Sequence, residues 1–572
     1  MRSIRRSIVA GLLGGVSFGQ FTTDQKTADF QQTAALYAKR YGPYEWKRDV
    51  IGFDLMNIAP WLSKVVATKD DLEYYEVVSE YVSKLNDAHD VFELPANFVA
   101  NLNFSVDLYE GSLIVDSINR SRLPASEFPF LIGYQLSSID GQDAFTMLQG
   151  LLRYQIAANP RSTARLAAQL LTIRPQVLMP HAANVPEIST VVFRRPDSRL
   201  ETYRIPWAKS GVPLVTVGKY VTPQANTVPR VFRLHPNRGN PNSGNSVPPY
   251  LALLNSIQNC RIPDRGAVGF GSITPIFAPA MPPSFVRRLG ASPVDPFYSG
   301  VFQASGFKIG FIRIPSYSPS DVNGALTAFQ REIAYFQDNT DGLVIDDMRN
   351  PGGTLGYVDQ ILSLVMPKPW RAMGFEIRAT SEWVLVFSSM FEQAKASGAP
   401  QPILDIFANL KAAVVDANAQ SRGRTAALPL DGLSLDRLPA LDSKGNVLAY
   451  TKPLIVLVDE LSASAAEVFA AAIQDNARGP LVGFRTMGAG GNVEAWEAGS
   501  YSLGVSTVTE SLMNRGHDII TSDYPPAPYV ENIGVRPDIQ VDYMTYDNLQ
   551  RSGQGFVDAF VKAIVDQILK SH

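Results

Sequence analysis

Ser464 is the residue on which chemistry can be built. It stands in SASAAE (Ser462 to Glu467), between the apolar run KPLIVLVDE (Lys452 to Glu460) and a helical pattern, SAAEVFAAAIQDNARG, that stops at Gly479-Pro480. A hydroxyl at a helix start lies beside unpaired N–H groups and the positive end of the helix dipole, which favour developing negative charge. That position suits a nucleophile. Ser464 and Glu467 are also spaced as a capping box, so a plain helix cap stays open on the local sequence. A second turn has complementary chemistry. GLVIDD (Gly342 to Asp347) runs into MRNPGG and then the helical TLGYVDQILSLVM. The Gly352-Gly353 pair lets backbone N–H groups approach a ligand closely. Acyl transfer would take one N–H from this loop, Gly352 or Gly353, and one from Ala465 to hold a tetrahedral oxyanion, while a tight loop with no ligand is the plain alternative. A serine hydroxyl needs an adjacent base, and the histidines are few: His89, His181, His235, His517 and His572. Cys260 is the single cysteine, and no CxxC or HExxH occurs, so metal and redox chemistry are poor prospects and no cofactor is expected.

Strands and helices alternate from about residue 305 to the end, the pattern of βαβ units and a largely parallel sheet. In an open α/β sheet both turns would open on the crevice beyond the strand ends. Upstream, residues 21–100 read as a helical domain, with periodic apolar positions in FQQTAALYAKRY and DLEYYEVVSEYVSKL. Short alternating runs such as FSVDLY and SLIVDSI mark a β domain over 101–215, and a Pro/Asn-rich insertion or lid fills 216–300. The catalytic part is then 301–572. At 572 residues, with 45% apolar and 18% charged residues, the chain is neither disordered nor fibrous. Its 51 basic and 54 acidic residues form no like-charge blocks, so nucleic acid is not an expected partner. Arg2, Arg5 and Arg6 precede the short apolar run IVAGLLGGVSFG, which reads as a signal peptide over residues 1–20, implying a periplasmic or secreted protein. No later stretch has the roughly 18 continuous apolar residues of a membrane span, so no membrane insertion of the mature chain is expected. GVSFG (Gly15 to Gly19) satisfies GxSxG by letter only, because it lies in that leader.

In combination, RNPGG (Arg349 to Gly353), the SASAAE box and its spacing to VGFRTMGAGG (Val482 to Gly491) resemble the S41 peptidases, the tail-specific or C-terminal processing protease family. The resemblance implies a crotonase-like (ClpP-like) αβ-spiral core, a PDZ-like domain matching QLSSIDGQ, and Ser464 as nucleophile. Tail-specific members place a catalytic lysine where TMGAG has Ala489, and no lysine lies between Lys452 and Lys562. The tricorn-like and chlamydial protease-like activity factor branch uses histidine and glutamate instead. Its histidine segment resembles LNDAHD (Leu85 to Asp90), which implies His89 as base; His517 matches no such motif. VENIGVRPDI (Val530 to Ile539) is similar to the family's closing segment and implies Glu531 as the carboxylate orienting the imidazole, with Glu494 and Glu497 as competitors. The expectation is an exported serine endopeptidase acting on peptides or proteins, with a homodimer as one assembly it can form. The competing expectation is a catalytically inactive S41-fold protein that binds peptide or lipid.

Overall fold

The computed structural model describes residues 20–94, 96–214, 270–430, 434–502 and 504–571. Residues 1–19 of the expected signal peptide lie outside the described residues, as do positions 216–269 of the expected insertion.

Gly342–Asp346 and Leu454–Val458 lie side by side and parallel, and every residue of both strands is buried. Burial on both faces explains why each reads as an unbroken apolar run instead of an alternating one. Leu343, Ile345, Leu454 and Val456 face one core, built with the helices Val322–Asn339, Leu355–Ser363 and Ala465–Asp475. Val344, Ile455 and Leu457 face the other, closed by the helix Gln554–Ser571. The two strands sit within a seven-stranded sheet whose strands follow chain order: Val286–Leu289, Tyr298–Ala304, Phe307–Arg313, Gly342–Asp346, Leu454–Val458, Leu481–Gly483 and Ile539–Gln540. The first two pairings are antiparallel and the other four parallel. The α/β architecture expected from the sequence is therefore present. Residues 270–300, expected within the insertion, are in part built into this domain: Val286–Leu289 pairs at the sheet's edge, and the Phe277 ring lies 5.3 Å from that of Phe560 on the helix Gln554–Ser571.

A six-stranded antiparallel sheet follows the N-terminal helices, with Phe104–Tyr109, Ser112–Ile118, Gln135–Ile139, Ile188–Arg194 and Leu200–Pro206 in spatial order and Gln142–Asp143 paired beside Gln135–Ile139. Phe104, Phe130 and Phe193 form its aromatic centre, the last two stacked at 4.5 Å. The first long helix, Thr23–Arg40, starts at a reciprocal cap in which Thr22 and Gln25 each bond the other's backbone N–H. Its apolar face, with Phe30, Ala34 and Tyr37, packs on Tyr74, Val78 and Tyr81 of the helix Asp71–Ser83. This helical unit is not self-contained. Its core takes in Val508 and Ala498, and Phe92–Glu93 pairs antiparallel with Val505–Thr509. The intervening chain, which carries His89, is thereby brought onto the sheet domain. Among the described residues no helix is long and apolar enough to cross a membrane.

Candidate active site

Ser464 ends the turn after the central strand Leu454–Val458 and precedes the helix Ala465–Asp475. Its backbone, at φ 57° and ψ −118°, occupies a region that L-residues rarely visit. Such strain costs on the order of 1–3 kcal/mol and persists only where surrounding contacts over-determine it. The contacts are plain. The Ala463 N–H donates to Asn350 O (2.9 Å), the Ser462 hydroxyl to Asp347 O (2.8 Å), and the Arg349 N–H to Asp459 Oδ1 (2.8 Å). The two strand-end turns are thus laced together. Gly352, at φ +90°, lies so close to the serine that a Cβ there would meet Ser464 Cβ at 2.7 Å and Ala463 O at 2.6 Å. Its N–H is engaged by Asn350 Oδ1 at 2.9 Å. The Gly353 N–H has no protein acceptor among the described residues, and that of Ala465, in the first turn of the helix, has no partner within its own helix.

Glu467, expected as a capping residue, is a buried hub. Its carboxylate accepts the Ser464 N–H (3.1 Å), the Thr486 hydroxyl (2.6 Å) and the N–H groups of Gly488 and Ala489 (both 2.7 Å). Burial pushes its carboxyl up to about 7, against these donors, which pull it down. The loop with alanine in place of a lysine is therefore tied to the serine through one side chain.

His89 is fully buried. Its N–H donates to Asp87 Oδ1 (2.9 Å), its carbonyl accepts from Thr507 Oγ1 (2.5 Å), and its Nδ1 lies 4.0 Å from Asp87 Oδ1. Burial pushes the imidazole down to about 4, with Asp87 opposing that shift and Lys47 adding to it. The ring is neutral at pH 7, the form a general base requires. Ala88 packs on a small apolar cluster containing Ala463, Met487 and Ala489. The same four residues, with Asp90 and Leu178, line one recess. Neighbours of His89 and of Ser464 thus share one recess.

Glu531 is fully buried, and both of its oxygens are engaged: Oε1 pairs with the Lys47 ammonium, and Oε2 accepts the Gly490 N–H at 2.9 Å. Burial pushes its carboxyl up to about 8; Asp87 adds to the shift and Lys47 opposes it. His517 lies apart from this group, its side chain 54% exposed and 3.6 Å from Asp475. Glu494 and Glu497 stand partly exposed on the strand Val493–Glu497. Sequence reasoning gave no role to Lys47, Asp87, Asn350 or Asn532. Asp87 was within reach, as it lies in the same LNDAHD segment; the other three are set by contacts across the fold.

Residues 308–541 match peptidase family S41, and residues 99–214 match a PDZ domain. The chain is, in class, a serine-type peptidase that carries an S41 peptidase domain preceded by a PDZ domain. Along nearly its whole length it is similar to a protein of Chlamydia pneumoniae, 25% identical with 98% of this chain and 93% of that one covered. A protein of Chlamydia trachomatis serovar D is also 25% identical, over 93% of this chain and 91% of its own. Among solved structures, mature CPAF in complex with lactacystin shares the fold, with a TM-score of 0.72, 22% identity, and coverage of 96% of this chain and 99% of that one. A chloroplastic carboxyl-terminal-processing peptidase of Arabidopsis thaliana is 37% identical over 17% of each chain.

Proposed function

We propose that this chain is an exported serine endopeptidase working through Ser464, His89 and Glu531. Ser464 Oγ attacks the scissile carbonyl while His89 takes its proton, and the N–H groups of Ala465 and Gly353 hold the oxyanion. His89 then protonates the leaving amine, and water hydrolyses the acyl-enzyme by the same steps in reverse order. Glu531 and Asp87 stabilise the imidazolium formed in between. Asp87 competes for the orienting role on one observation, the 4.0 Å between its carboxylate and His89 Nδ1. The PDZ domain docks an extended peptide as an added strand, and the recess beside Ala463 takes an apolar side chain of the substrate.

What carries this reading is a serine in strained backbone, packed against Gly352 at a helix start, whose neighbours share a recess with those of a buried neutral histidine. A fluorophosphonate probe tests it. Labelling of the wild type that disappears in Ser464→Ala and falls at least 100-fold in His89→Ala is the expected result. A wild type that is folded by circular dichroism yet takes no label favours the binding protein. Export, read from Arg2, Arg5 and Arg6 and the apolar run after them, is checked by N-terminal sequencing of the protein recovered outside the cytoplasm.

A further inference from the structure

Lys47 has no part in the chemistry just described, yet it is fully buried beneath it. It opens a π-helical turn, Lys47–Ile51, which follows Tyr44–Trp46 in the helical unit. Local winding of that kind is frequent at functional sites. Its ammonium meets three acceptors: Glu531 Oε1, Asn532 Oδ1 (2.7 Å) and Asn86 O (2.9 Å). Asn532 completes a junction. Its Nδ2 donates to Asn86 O and to Ala158 O, both at 2.8 Å, its N–H donates to Gly488 O (3.0 Å), and its Oδ1 also accepts from Trp46 Nε1 (2.9 Å).

Asn86 stands three residues before His89. The far side of the histidine loop is held independently, by Thr507 on His89 O and by the Thr509 N–H on Asp90 Oδ1 at 2.8 Å. The near side is held by Lys47 and Asn532, both on Asn86 O, and Lys47 also grips Glu531, which accepts the Gly490 N–H. We propose that Lys47 is a positioning residue for His89, fixing the start of the histidine loop against the Gly488–Gly491 loop through Glu531 and Asn532. The proposal rests on the Ser464/His89 reading of the site. All three contacts of its Nζ are to acceptors on the loops it joins, which is the geometry of a support and not of the base that the missing loop lysine would have supplied. The charged and titratable groups around the imidazole are Asp87 on its own loop, Asp90 beside it, Tyr41, whose hydroxyl bonds Asp87 at 2.9 Å, and Lys47 and Glu531 from the facing elements.

The test compares wild type, Lys47→Met and Lys47→Arg by peptide cleavage, pH profile, thermal melting and the ring resonances of His89 in histidine-labelled protein. Lys47→Met is expected to lower kcat at least 30-fold with KM changed less than 3-fold, and to raise the pH at which His89 titrates, because a nearby cation has gone. Lys47→Arg, which keeps a charge for Glu531, recovers kcat to within 10-fold of wild type. A folded Lys47→Met with wild-type kcat and an unmoved His89 titration overturns the proposal. So does a folded Lys47→Arg that is as inactive as Lys47→Met, since a base would then have been lost and not a support. If Lys47→Met does not fold, Lys47→Gln keeps hydrogen-bonding capacity without charge and carries the same readouts. Should the wild type neither cleave peptide nor take the fluorophosphonate, the serine-peptidase reading fails by itself. Lys47 is then judged by the His89 resonances alone, and an unmoved titration overturns its role.

Discussion

In the proposed reaction, the imidazole of His89 is the group whose environment sets the strongest constraint. Burial holds it near a pKa of about 4, against an ordinary 6.5, so it stays in its basic form from neutral pH down to about 4. The acid limb of kcat/KM is therefore expected between about pH 4 and 5, and a limb at 6.5 or above would show that the ring is solvated in the working enzyme. Stability follows the same group with a definite sign. The unfolded chain takes up the proton first, so the contribution of His89 is complete above about 6.5 and is lost as pH falls toward 4. Circular dichroism at each pH separates loss of fold from loss of base. Glu467 runs the other way. Its folded carboxyl sits at about 7, above the 4.5 of an unperturbed glutamate, so its contribution is full below about 4.5 and declines as pH rises through 7. Replacing it by glutamine turns an N–H group toward donors of Ser464, Thr486, Gly488 or Ala489. A loss of about 1–3 kcal/mol is expected at pH 5 and a smaller one at pH 8, read from urea denaturation.

At the scale of elements, the proposed catalysis depends on how closely the two strand-end turns approach each other. Gly352→Ala would need φ near +90° and would press its methyl group on Ala463 O, Ala465 N and Ser464 Cβ, all within 2.7 Å. Most of these atoms are backbone and cannot rotate away. The variant should lose fluorophosphonate labelling and about 1–3 kcal/mol of stability, and labelling at the wild-type rate would remove Gly352 from the serine's support. These turns were legible in the sequence for a physical reason. The strands before them are buried on both faces and read as apolar runs, and serine and glycine mark where each run breaks. Other elements were not legible. Residues 270–300 are rich in proline and show little periodicity, yet Phe277 is buried against Phe311 and Phe560, and Val286–Leu289 finds a partner strand. Their order comes from packing on distant chain, which local composition does not encode. Lys47 is the extreme case, for its partner Asn532 lies 485 positions away and nothing in KRDVI marks it as part of a site.

At the scale of the molecule, three units converge on the serine, and the PDZ domain is fastened to it by charge. Its helix Pro160–Gln169 presents Arg165, 1% exposed, between Asp107 Oδ2 of its own sheet (2.7 Å) and Glu460 Oε1 (3.1 Å), four residues before Ser464. The same short stretch adds Ser162 Oγ to Glu460 O (2.6 Å) and Asn159 Nδ2 to Met487 O (2.8 Å), so it touches both the nucleophile turn and the loop beyond it. Removing one member of a buried ion pair leaves its partner's charge uncompensated, at a cost of about 3–5 kcal/mol. Arg165→Met strands Asp107 and leaves Glu460 to the partly exposed Arg161 alone, and should both lower the denaturation midpoint and reduce kcat, because Glu460 leads directly into the box that carries Ser464. Arg161→Met is the natural comparison. That residue also reaches Glu460, at 2.6 Å, but its side chain is 31% exposed, and water can take over its role at a cost of about 1 kcal/mol or less. If the two variants prove equally mild in both urea denaturation and kcat, the PDZ domain is only a neighbour of the catalytic turn. If Arg165→Met alone is severe, the PDZ domain proposed to dock the substrate also holds the Ser464 turn in register.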